Sequence, residues 1–533
     1  MKSNLQGGEK ISKKYLSALI LIFFVLISLT SVNASDDSNQ TLEKNSIEIN
    51  NASNILKDAS QDLENKINNA DNGDEILIEA GTYKIHNIKL TKNITLTGQG
   101  NPRDVIIDGE EKSSIFLIRS PDVHVGFKNI TFINGLTDNF GGVISIETGH
   151  VTVDNCIFIN NTALENTNAG GISNYGTAES RGYLLLNNSL FINNHADHDG
   201  GAVTTCYADS YIYNCVFINN TARRDGGAIR VSLFGYGYVE DCIFMFNHAD
   251  EWGGAYYSWA GVSDIRRCIF INNTAGTNGG AVMVSGNINL EQSIIVNNTG
   301  DETGGSFYIQ QPMYNKKTTI NVHDNLITNN TSPLGQEIFI SWKDTENLYP
   351  QFDNNDWGDE DPNNSSVVDP NNVTSRSKVS STIKTNLFAT LNVDSLSKYS
   401  DLIGNYFPND TLDNFIKQFD DAKKSTQTSN SSKDNTQKSD SVKIPDNDNI
   451  KDSDESNSSS VISASSEIPL KFSSEELVVG NSTTTGDDKN AYEINESKSV
   501  AKQVNVDIRY FITAFIIAFL LLAIGYKINK KEE

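Results

Sequence analysis

The chain is short of positive charge. Its 533 residues include 42 Lys and Arg against 67 Asp and Glu, which gives a formal net charge of −25 at pH 7. A protein this acidic is repelled by polyanions, so we expect it to bind neither nucleic acid nor the surface of an anionic bilayer. The lack of positive charge therefore removes nucleic-acid-binding proteins from the classes to which the chain could belong.

Cysteine is scarce as well, and four of the five cysteines share one position of a repeated pattern. Ser189 and Ser293 fill the same position in other repeats, so the position requires a small residue. Stacked repeats would bring these Cα atoms to about 4.8 Å, within disulfide range, but their parallel Cβ vectors are poor for bonding. We predict buried free thiols at the five positions Cys156, Cys206, Cys215, Cys242 and Cys268.

Compact motifs for metals, phosphates or nucleophiles are also missing. The Gly-Gly pairs of the chain are not followed by Lys-Ser/Thr or by the start of a helix, as a phosphate-binding loop requires. A linear row of cysteines does not offer the tetrahedral convergence that zinc requires. We therefore predict no metal site, no cofactor and no assigned catalytic residue.

What the sequence does contain is a repeat of about 27 residues. Gly-Gly pairs mark it, beginning at Gly141, Gly170, Gly200, Gly226, Gly253, Gly279 and Gly304. A Phe-x-x-Asn phrase recurs between them, at Phe158, Phe191, Phe217, Phe244 and Phe270, and weakens at Ile295 and Ile327. A fixed period of this length indicates a solenoid.

Each period is built from short strands. Runs of Val, Ile, Phe and Thr are bounded by Asn, Gly or Asp, and helical spacing is absent. The period suits one coil of a parallel β-helix with three short strands and three corners. We expect the Phe residues to stack inside, the Asn pairs to form left-handed corners and amide ladders, and Gly-Gly to supply a corner where no Cβ fits. The fold class is therefore all-β, a solenoid of about ten coils over residues 59–365.

The N-terminal region predicts export and a capped solenoid. A basic start, an apolar run and Val32-Asn33-Ala34 indicate a secretory signal peptide over residues 1–34, with an uncleaved anchor as the alternative. Residues 35–58 are polar and read as a flexible lead-in. Leu63, Ile67 and Ala70 then follow helical spacing, so we expect a short helix that covers the first open coil.

The C-terminal region predicts a stalk and a membrane anchor. Residues 366–422 have some apolar spacing and remain an unassigned cap or stalk, and residues 423–505 have the composition of a disordered spacer. Residues 506–527 read as a transmembrane helix, with a core helix as the alternative. Lys527, Lys530 and Lys531 follow the apolar run, which indicates that the tail, residues 528–533, is cytoplasmic and the solenoid extracellular.

Three features of the chain resemble known families: its entry passages, its repeats and its overall layout. The passages "GDEILIEAGTY", "ITLTGQG" and "VIIDG" resemble the entry of pectin-lyase-like right-handed β-helices. The GGA(I/V) and FxxN repeats resemble those of chlamydial polymorphic outer-membrane proteins. With the anchor and the closing Asn355-Asp356-Trp357-Gly358 phrase, the layout resembles the adhesin-like surface proteins of methanogenic archaea.

The resemblance implies a right-handed β-helix and a function in adhesion rather than catalysis. The partners that it implies are other cells, glycans or surface-layer components. Two alternatives stay open: a polysaccharide lyase or hydrolase tethered to the surface, and a structural component of the envelope. Regular coils without inserted loops favour binding. Asn-x-Ser/Thr sequences in the spacer, such as Asn457-Ser458-Ser459, suggest a glycoprotein.

One corner of the repeat concentrates charge. Its weak candidates for binding are His198, Asp199, Arg223, Arg224, Asp225, Asp250 and Glu251. The same residues, with His195 and His248, could be imagined as an acid–base strip. The favoured interpretation is a solvated corner in which charges of opposite sign alternate between adjacent coils, each exposed pair contributing only ~0–1 kcal/mol.

The strand that carries the Phe of each Phe-x-x-Asn phrase has a second apolar face, which is either exposed or covered. If Phe217 points inward, strand alternation places Val216 and Ile218 outward, together with their equivalents in neighbouring coils. An exposed apolar stripe of this kind would be a partner surface. The alternatives are that a nearby segment covers it or that the strand bends and buries it.

Overall fold

The computed structural model describes residues 59–310, 318–341, 348–358, 367–368, 375–378, 387–407 and 411–434. The predicted signal peptide, lead-in, transmembrane helix and tail lie outside these residues, as does the predicted spacer beyond residue 434. Within the described residues, three parallel sheets run along a solenoid. The second sheet contributes one strand from each coil and has ten strands, which confirms a solenoid of about ten coils.

Sheet 1 is the largest and receives the chain after each Gly-Gly corner. Its nineteen strands are Asp74–Ile78, Ile88–Leu90, Ile94–Gly98, Phe116–Lys128, Ile144–Asp154, Ile172–Tyr175, Gly182–Asn187, Val203–Cys206, Ala208–Tyr213, Ile229–Ser232, Tyr236–Glu240, Tyr256–Arg266, Val282–Glu291, Phe307–Ile309, Thr318–His323, Ile338–Ile340, Leu348–Asn355, Val367–Val368 and Ser375–Lys378. Most coils contribute two segments to it, such as Ile229–Ser232 and Tyr236–Glu240, so a coil has more than the three predicted strands.

Sheets 2 and 3 close each coil. Sheet 2 comprises Gly81–Lys84, Val105–Asp108, Thr131–Ile133, Ile157–Ile159, Leu190–Ile192, Val216–Ile218, Ile243–Met245, Ile269–Ile271, Ile294–Val296 and Leu326–Thr328. Sheet 3 comprises the two-residue strands Leu136–Thr137, Thr162–Ala163, His195–Ala196, Thr221–Ala222, His248–Ala249, Thr274–Ala275 and Thr299–Gly300. A helix over residues 59–69 precedes the first strand and buries Leu63 and Ile67, as predicted.

The aromatic stack inside the solenoid is as predicted. Phe217 pairs in register with Phe191 and Phe244, and all three rings are fully buried. The centroid of the Phe217 ring lies 5.0 Å from that of Phe191 and 4.9 Å from that of Phe244, with nearly parallel planes. Offset stacking of this kind adds to the free energy gained from apolar burial.

The Asn pairs divide two tasks between them. The first residue of each pair takes a left-handed conformation, as Asn219 does with a φ of 53°. The second is buried and forms an amide ladder in which the Nδ2 of one coil donates to the Oδ1 of the next at 2.8 to 3.0 Å. The ladder runs through Asn161, Asn194, Asn220, Asn247, Asn273, Asn298 and Asn330. Both predicted roles of the Asn pairs are therefore confirmed.

The Gly-Gly corner also behaves as predicted. Gly226 has a φ of 67°, a conformation that side chains disfavour. A Cβ added to Gly227 would lie 2.2 Å from the carbonyl oxygen of Gly254 in the next coil. The corner therefore excludes side chains on steric grounds as well as conformational ones.

The cysteine position requires more than small size. All five cysteines are free and buried, as predicted. The backbone N of Cys215 donates to the Sγ of Cys242 in the next coil at 3.4 Å, and the N of Cys268 donates to the Oγ of Ser293 at 3.0 Å. The side chain at this position therefore accepts a hydrogen bond from the preceding coil. Burial raises the pKa of Cys156 to about 12, which keeps that thiol protonated.

A C-terminal cap, residues 387–407 and 411–424, covers the apolar stripe of sheet 2. It contains the helices Asp394–Lys398, Ser400–Ile403 and Thr411–Asp434 and the 3₁₀ turn Gly404–Tyr406. The last helix extends past residue 423, where we expected the spacer to begin. A further 3₁₀ turn, Pro102–Asp104, lies in the solenoid itself.

The cap buries the apolar stripe that strand alternation predicts on the outer side of sheet 2. Val216 and Ile218 are fully buried in a second core cluster that includes Phe388, Leu396 and Phe419 of the cap. The hydroxyl of Tyr399 donates to the Asn188 carbonyl at 2.8 Å and fixes the cap in place. The stripe is therefore an internal packing surface and is not exposed for a partner.

The cap also accounts for an irregularity in the repeat. Phe246 occupies the left-handed corner position that Asn holds in the neighbouring coils, with a φ of 57°. Its ring meets that of Phe407 edge to face at 5.7 Å. Contact with the cap offsets the unfavourable backbone conformation of this bulky residue.

No helix in the part of the chain that the structure describes is long and apolar enough to cross a membrane.

Candidate functional site

The charged corner lies between sheets 3 and 1, immediately before the Gly-Gly pairs. Asp199 precedes Gly200 and Asp225 precedes Gly226 one coil later, and the N of Gly200 donates to the carbonyl of Asp225 at 2.8 Å. The two acidic side chains thus occupy equivalent positions of adjacent coils. They are 2% and 1% exposed, respectively. The corner therefore places two acids of like charge next to each other, out of contact with water.

Three basic residues surround this acid pair. Arg230 Nε lies 3.0 Å from Asp199 Oδ2, and Arg224 Nη2 lies 3.5 Å from Asp225 Oδ2. The Nδ1 of His198 lies 2.9 Å from Asp199 Oδ2, while its Nε2 lies 2.5 Å from Nη1 of Arg224. Because Arg224 can only donate, His198 accepts through Nε2 and donates from Nδ1. The acceptor of the Nδ1 hydrogen bond is Asn168 Oδ1, at 3.0 Å. Arg224, His198 and Asn168 therefore form one connected chain of hydrogen bonds, and the backbone N of Asp199 also donates to Asn168 Oδ1.

The acid pair is incompletely satisfied. Asp199 Oδ1 and Asp225 Oδ1 have no hydrogen-bond partner among the described residues, and neither does the Nε of Arg230. The contact between Arg230 and Asp199 is therefore ionic without a directed hydrogen bond. Burial, followed by the charge of Asp199, raises the pKa of Asp225 to about 7. Near neutral pH Asp225 therefore holds a proton part of the time.

The prediction of a solvated corner with alternating charges is wrong for Asp199 and Asp225. Both corners contain glycine, and large side chains of the following coil occupy the space beside it. A Cβ on Gly200 would lie 3.2 Å from Cβ of Arg230, and one on Gly226 would lie 3.0 Å from Cβ of Tyr257. Arg230 and Tyr257 are themselves almost fully buried, at 8% and 4% exposure. The glycines thus bring these side chains against the acids and exclude water.

The other predicted candidates lie outside the acid pair. Arg223 Nη2 donates to Asn166 Oδ1 at 2.9 Å, and Asp250 pairs with the Nε2 of His248 at 3.0 Å on the exposed surface. Glu251 Oε2 lies 3.8 Å from the Nε of Arg224, at the rim of the cluster. The structure therefore brings together His198, Asp199, Arg224 and Asp225, and separates Arg223 and Asp250 from them.

Arg230 is the member of the cluster that sequence reasoning missed. It lies in a strand of sheet 1, in register with Thr204 and Tyr257, which carry no charge at neutral pH. The sign available in the sequence was one Arg at a strand position that Ser173, Thr204, Tyr257 and Met283 fill in the neighbouring coils. Tyr175 joins the same network through Asn168, which accepts from His198 Nδ1 through Oδ1 and donates through Nδ2 to the Tyr175 hydroxyl at 2.6 Å.

The cluster can hold a proton, but its acids do not face solvent. A general acid or base must reach the reacting group within hydrogen-bonding distance. The side chains of Asp199 and Asp225 are enclosed, so no substrate can contact them in this conformation. In the described part of the chain, no three or more His, Cys, Asp or Glu residues are grouped as ligands for a metal ion.

Comparison with known proteins identifies the repeat. Residues 214–232 and 267–285 match the model of the Chlamydia polymorphic membrane protein repeat. Each match begins just before the Phe strand and ends in the strand of sheet 1 that follows the Gly-Gly corner. The chain thus contains repeats of this type within a parallel β-solenoid.

Two solved structures are similar at a low level. One is a PL6 family alginate lyase, AlyGC, with 15% identity and a TM-score of 0.27 over 60% of this chain and 53% of that chain. The other is a PL6 family polysaccharide lyase from Pseudopedobacter saltans, with 14% identity and a TM-score of 0.29 over 62% of this chain and 88% of that chain. This chain therefore spans about half the length of the first lyase. Similarity this low carries no information about activity.

The raised pKa of Asp225 predicts a pH-dependent stability. A folded-state pKa above the unfolded value means that the folded protein holds the proton more tightly, so stability falls as pH rises from about 4 through 7. We expect the free energy of unfolding to fall over this range by on the order of 2 kcal/mol more in the wild type than in Asp225→Asn, which cannot ionise. Denaturation at a series of pH values measures the difference.

The matched control is Asp250→Asn, which removes an exposed acid from the equivalent corner of the next coil. Its pH profile should follow that of the wild type. Equal pH profiles for Asp225→Asn and the wild type would show that folding does not raise the pKa of Asp225, and would contradict this prediction. Asp199, Arg224, Glu251 and Arg230 are the charged groups facing Asp225, and all remain in both variants.

Proposed function

We propose that this chain is a cell-surface, adhesin-like protein whose solenoid binds other cells, glycans or surface-layer components. The observation that carries the proposal is the match of two coil segments to the Chlamydia polymorphic membrane protein repeat. That repeat takes its name from membrane proteins, and a repetitive, acidic solenoid suits display at a surface. The predicted signal peptide and membrane anchor, residues 1–34 and 506–527, belong to the same proposal and rest on the sequence.

The burial of the acid pair supports binding rather than cleavage. A surface polysaccharide lyase or hydrolase would need accessible groups with perturbed pKa values. Asp225 has a perturbed pKa, but its side chain is only 1% exposed. Its burial is explained by packing against Arg230 and Tyr257, so we assign the cluster to the stability of the solenoid. The enzyme remains the second candidate, since the same residues would serve it if the corner opened.

Attachment of whole cells tests the proposed function. The full-length chain is displayed on a host cell that lacks it, and binding to other cells and to immobilised envelope material is counted. A matched display control lacks residues 59–424, the solenoid together with the cap that packs on it, and keeps the remaining segments. We expect attachment to depend on the solenoid and to persist in Asp225→Asn.

The same cells distinguish the alternatives. Display without attachment would overturn the adhesin and favour a structural envelope component. The enzyme would instead be established if the cells release unsaturated or shortened oligosaccharides from added polysaccharide. This release should be abolished by Asp225→Asn while the fold stays intact.

A further inference from the structure

A strip of aromatic side chains follows the outer face of sheet 1. Its members are His124, His150, Tyr183, Tyr211, Tyr213 and Tyr238. They alternate with fully buried residues such as Leu184, Ile212 and Val239, so they point away from the core. His124 is exposed and the others are half-buried. The C-terminal cap lies against sheet 2, so the described residues of the cap leave this face open.

The strip changes character along its length. The rings of His124 and His150 stack at 4.4 Å with an angle of 12° between their planes. The angle grows to 28° between His150 and Tyr183 and to 37° between Tyr183 and Tyr211. The rings of Tyr213 and Tyr238 are tilted by 43° at 5.5 Å. Increasing tilt uncovers part of each ring face, so the tyrosine end presents aromatic faces as well as hydroxyl groups to solvent.

Hydroxyl groups at this end are available for a ligand. Tyr238 donates to Glu240 Oε2 at 3.0 Å, and Tyr236, which packs beside Tyr211, donates to Asp264 Oδ2 at 2.7 Å. In the described chain, the hydroxyls of Tyr183, Tyr211 and Tyr213 have no such protein partner. Half-buried tyrosine hydroxyls without partners are favourable points for hydrogen bonds to a bound molecule.

The charges beside the strip favour an uncharged ligand. Arg181 is paired with Asp209, with 3.0 Å between Nε and Oδ2. Arg266 is paired with Glu291 at 2.9 Å between Nε and Oε1, and its guanidinium also lies over the ring of Tyr238 at 5.7 Å. Both arginines are therefore engaged within the protein. An acidic ligand would meet no free arginine here and would face a chain with a net charge of −25.

We propose that this aromatic strip binds an extended, uncharged polysaccharide lying along the axis of the solenoid. The inference deepens the proposed function and rests on it. Successive coils repeat at about 4.8 Å, which is close to the rise of one sugar ring in an extended polysaccharide. Consecutive sugars would therefore meet consecutive tyrosines, with sugar C–H groups against the ring faces and sugar hydroxyls against the tyrosine hydroxyls. A polymer of repeating units suits a repeating surface.

Affinity measurements on the purified full-length chain test the strip. The probes are soluble neutral polysaccharides (a β-glucan, a mannan and a galactan) and two acidic ones, alginate and polygalacturonate. We expect the wild type to bind at least one neutral polymer and the double variant Tyr183→Ala/Tyr211→Ala to bind it at least about tenfold more weakly. The control is Tyr308→Ala, which removes a half-buried tyrosine stacked on Phe339 at 5.8 Å in another part of sheet 1. Circular dichroism and thermal unfolding establish that each variant is folded.

Each result has a defined meaning. The strip is supported as the binding site if the double variant binds the polymer more weakly and Tyr308→Ala binds it as the wild type does. Equal affinity of the wild type and the double variant overturns it, as does preference for the acidic polymers or a failure to bind any neutral polymer. Attachment of cells that display the chain is measured separately. The proposed adhesin function can therefore be supported even if the proposed binding of polysaccharide to the strip is contradicted. If the double variant is unfolded, the single variants Tyr211→Ala and Tyr183→Ala take its place under the same criteria.

Discussion

The substitution Asn220→Leu is expected to destabilise the solenoid by on the order of 4–6 kcal/mol. The Nδ2 of Asn220 donates to the Phe191 carbonyl at 3.1 Å and to Asn247 Oδ1 at 3.0 Å. Its Oδ1 accepts from both the N and the Nδ2 of Asn194. Leucine removes these four hydrogen bonds: the backbone N of Asn194 loses its partner, while Asn247 Oδ1 and Asn194 Nδ2 each keep one other bond. A lost hydrogen bond costs about 0.5–1.5 kcal/mol, and a buried group left without a partner costs about 1–3 kcal/mol. The midpoint of denaturant unfolding measures the loss.

The neighbouring Asn219 provides a matched control. Its side chain is exposed and its role is conformational, since its φ is 53°. Asn219→Gly keeps the left-handed corner and should change stability by less than about 1 kcal/mol. Similar destabilisation by Asn219→Gly and Asn220→Leu would contradict the division of tasks within the Asn pair.

The substitution Phe217→Ala should cost about 3–5 kcal/mol. The ring lies between those of Phe191 and Phe244 and is fully buried, so its removal leaves a cavity bounded by two aromatic faces. The two neighbouring rings share the loss, because each coil packs chiefly on the coils beside it. Phe217→Leu fills most of the space and should cost less than half as much. The comparison uses denaturant midpoints of the two variants, and an unchanged midpoint for Phe217→Ala would mean that the ring contributes no packing.

The interior of the solenoid could be predicted from the sequence because it depends on neighbouring coils. The positions of Phe217, Asn219, Asn220 and the Gly-Gly pair recur at a nearly constant spacing, and each contacts its own equivalent about 27 residues away. Strand alternation then gives the inward direction of Phe217. Periodicity alone thus contains the information for the aromatic stack, the amide ladder and the corners.

The surface could not be predicted in the same way. The cap contacts residues far away in the chain, such as Asn188 beneath Tyr399, and no local pattern specifies such a contact. The burial of Asp199 depends on Arg230, which lies beyond the Gly-Gly corner in the following coil. The aromatic strip crosses from one register position to another between Tyr183 and Tyr211, so it does not recur at a single repeat position. Each of these features breaks the period on which the prediction was based.

The amide ladder gives the solenoid a direction and two different ends. Every rung donates the same way, and the last one, Asn330, donates through Nδ2 to the buried carboxyl of Glu337 at 2.6 Å. At the other end, Asn161 accepts from the backbone N of Gly135 at 2.8 Å. Whole coils could therefore be gained or lost between these termini without leaving a rung unpaired, whereas a fraction of a coil could not. The length of the solenoid can therefore change in steps of one coil, by duplication of a coil, while the two ends of the ladder stay the same.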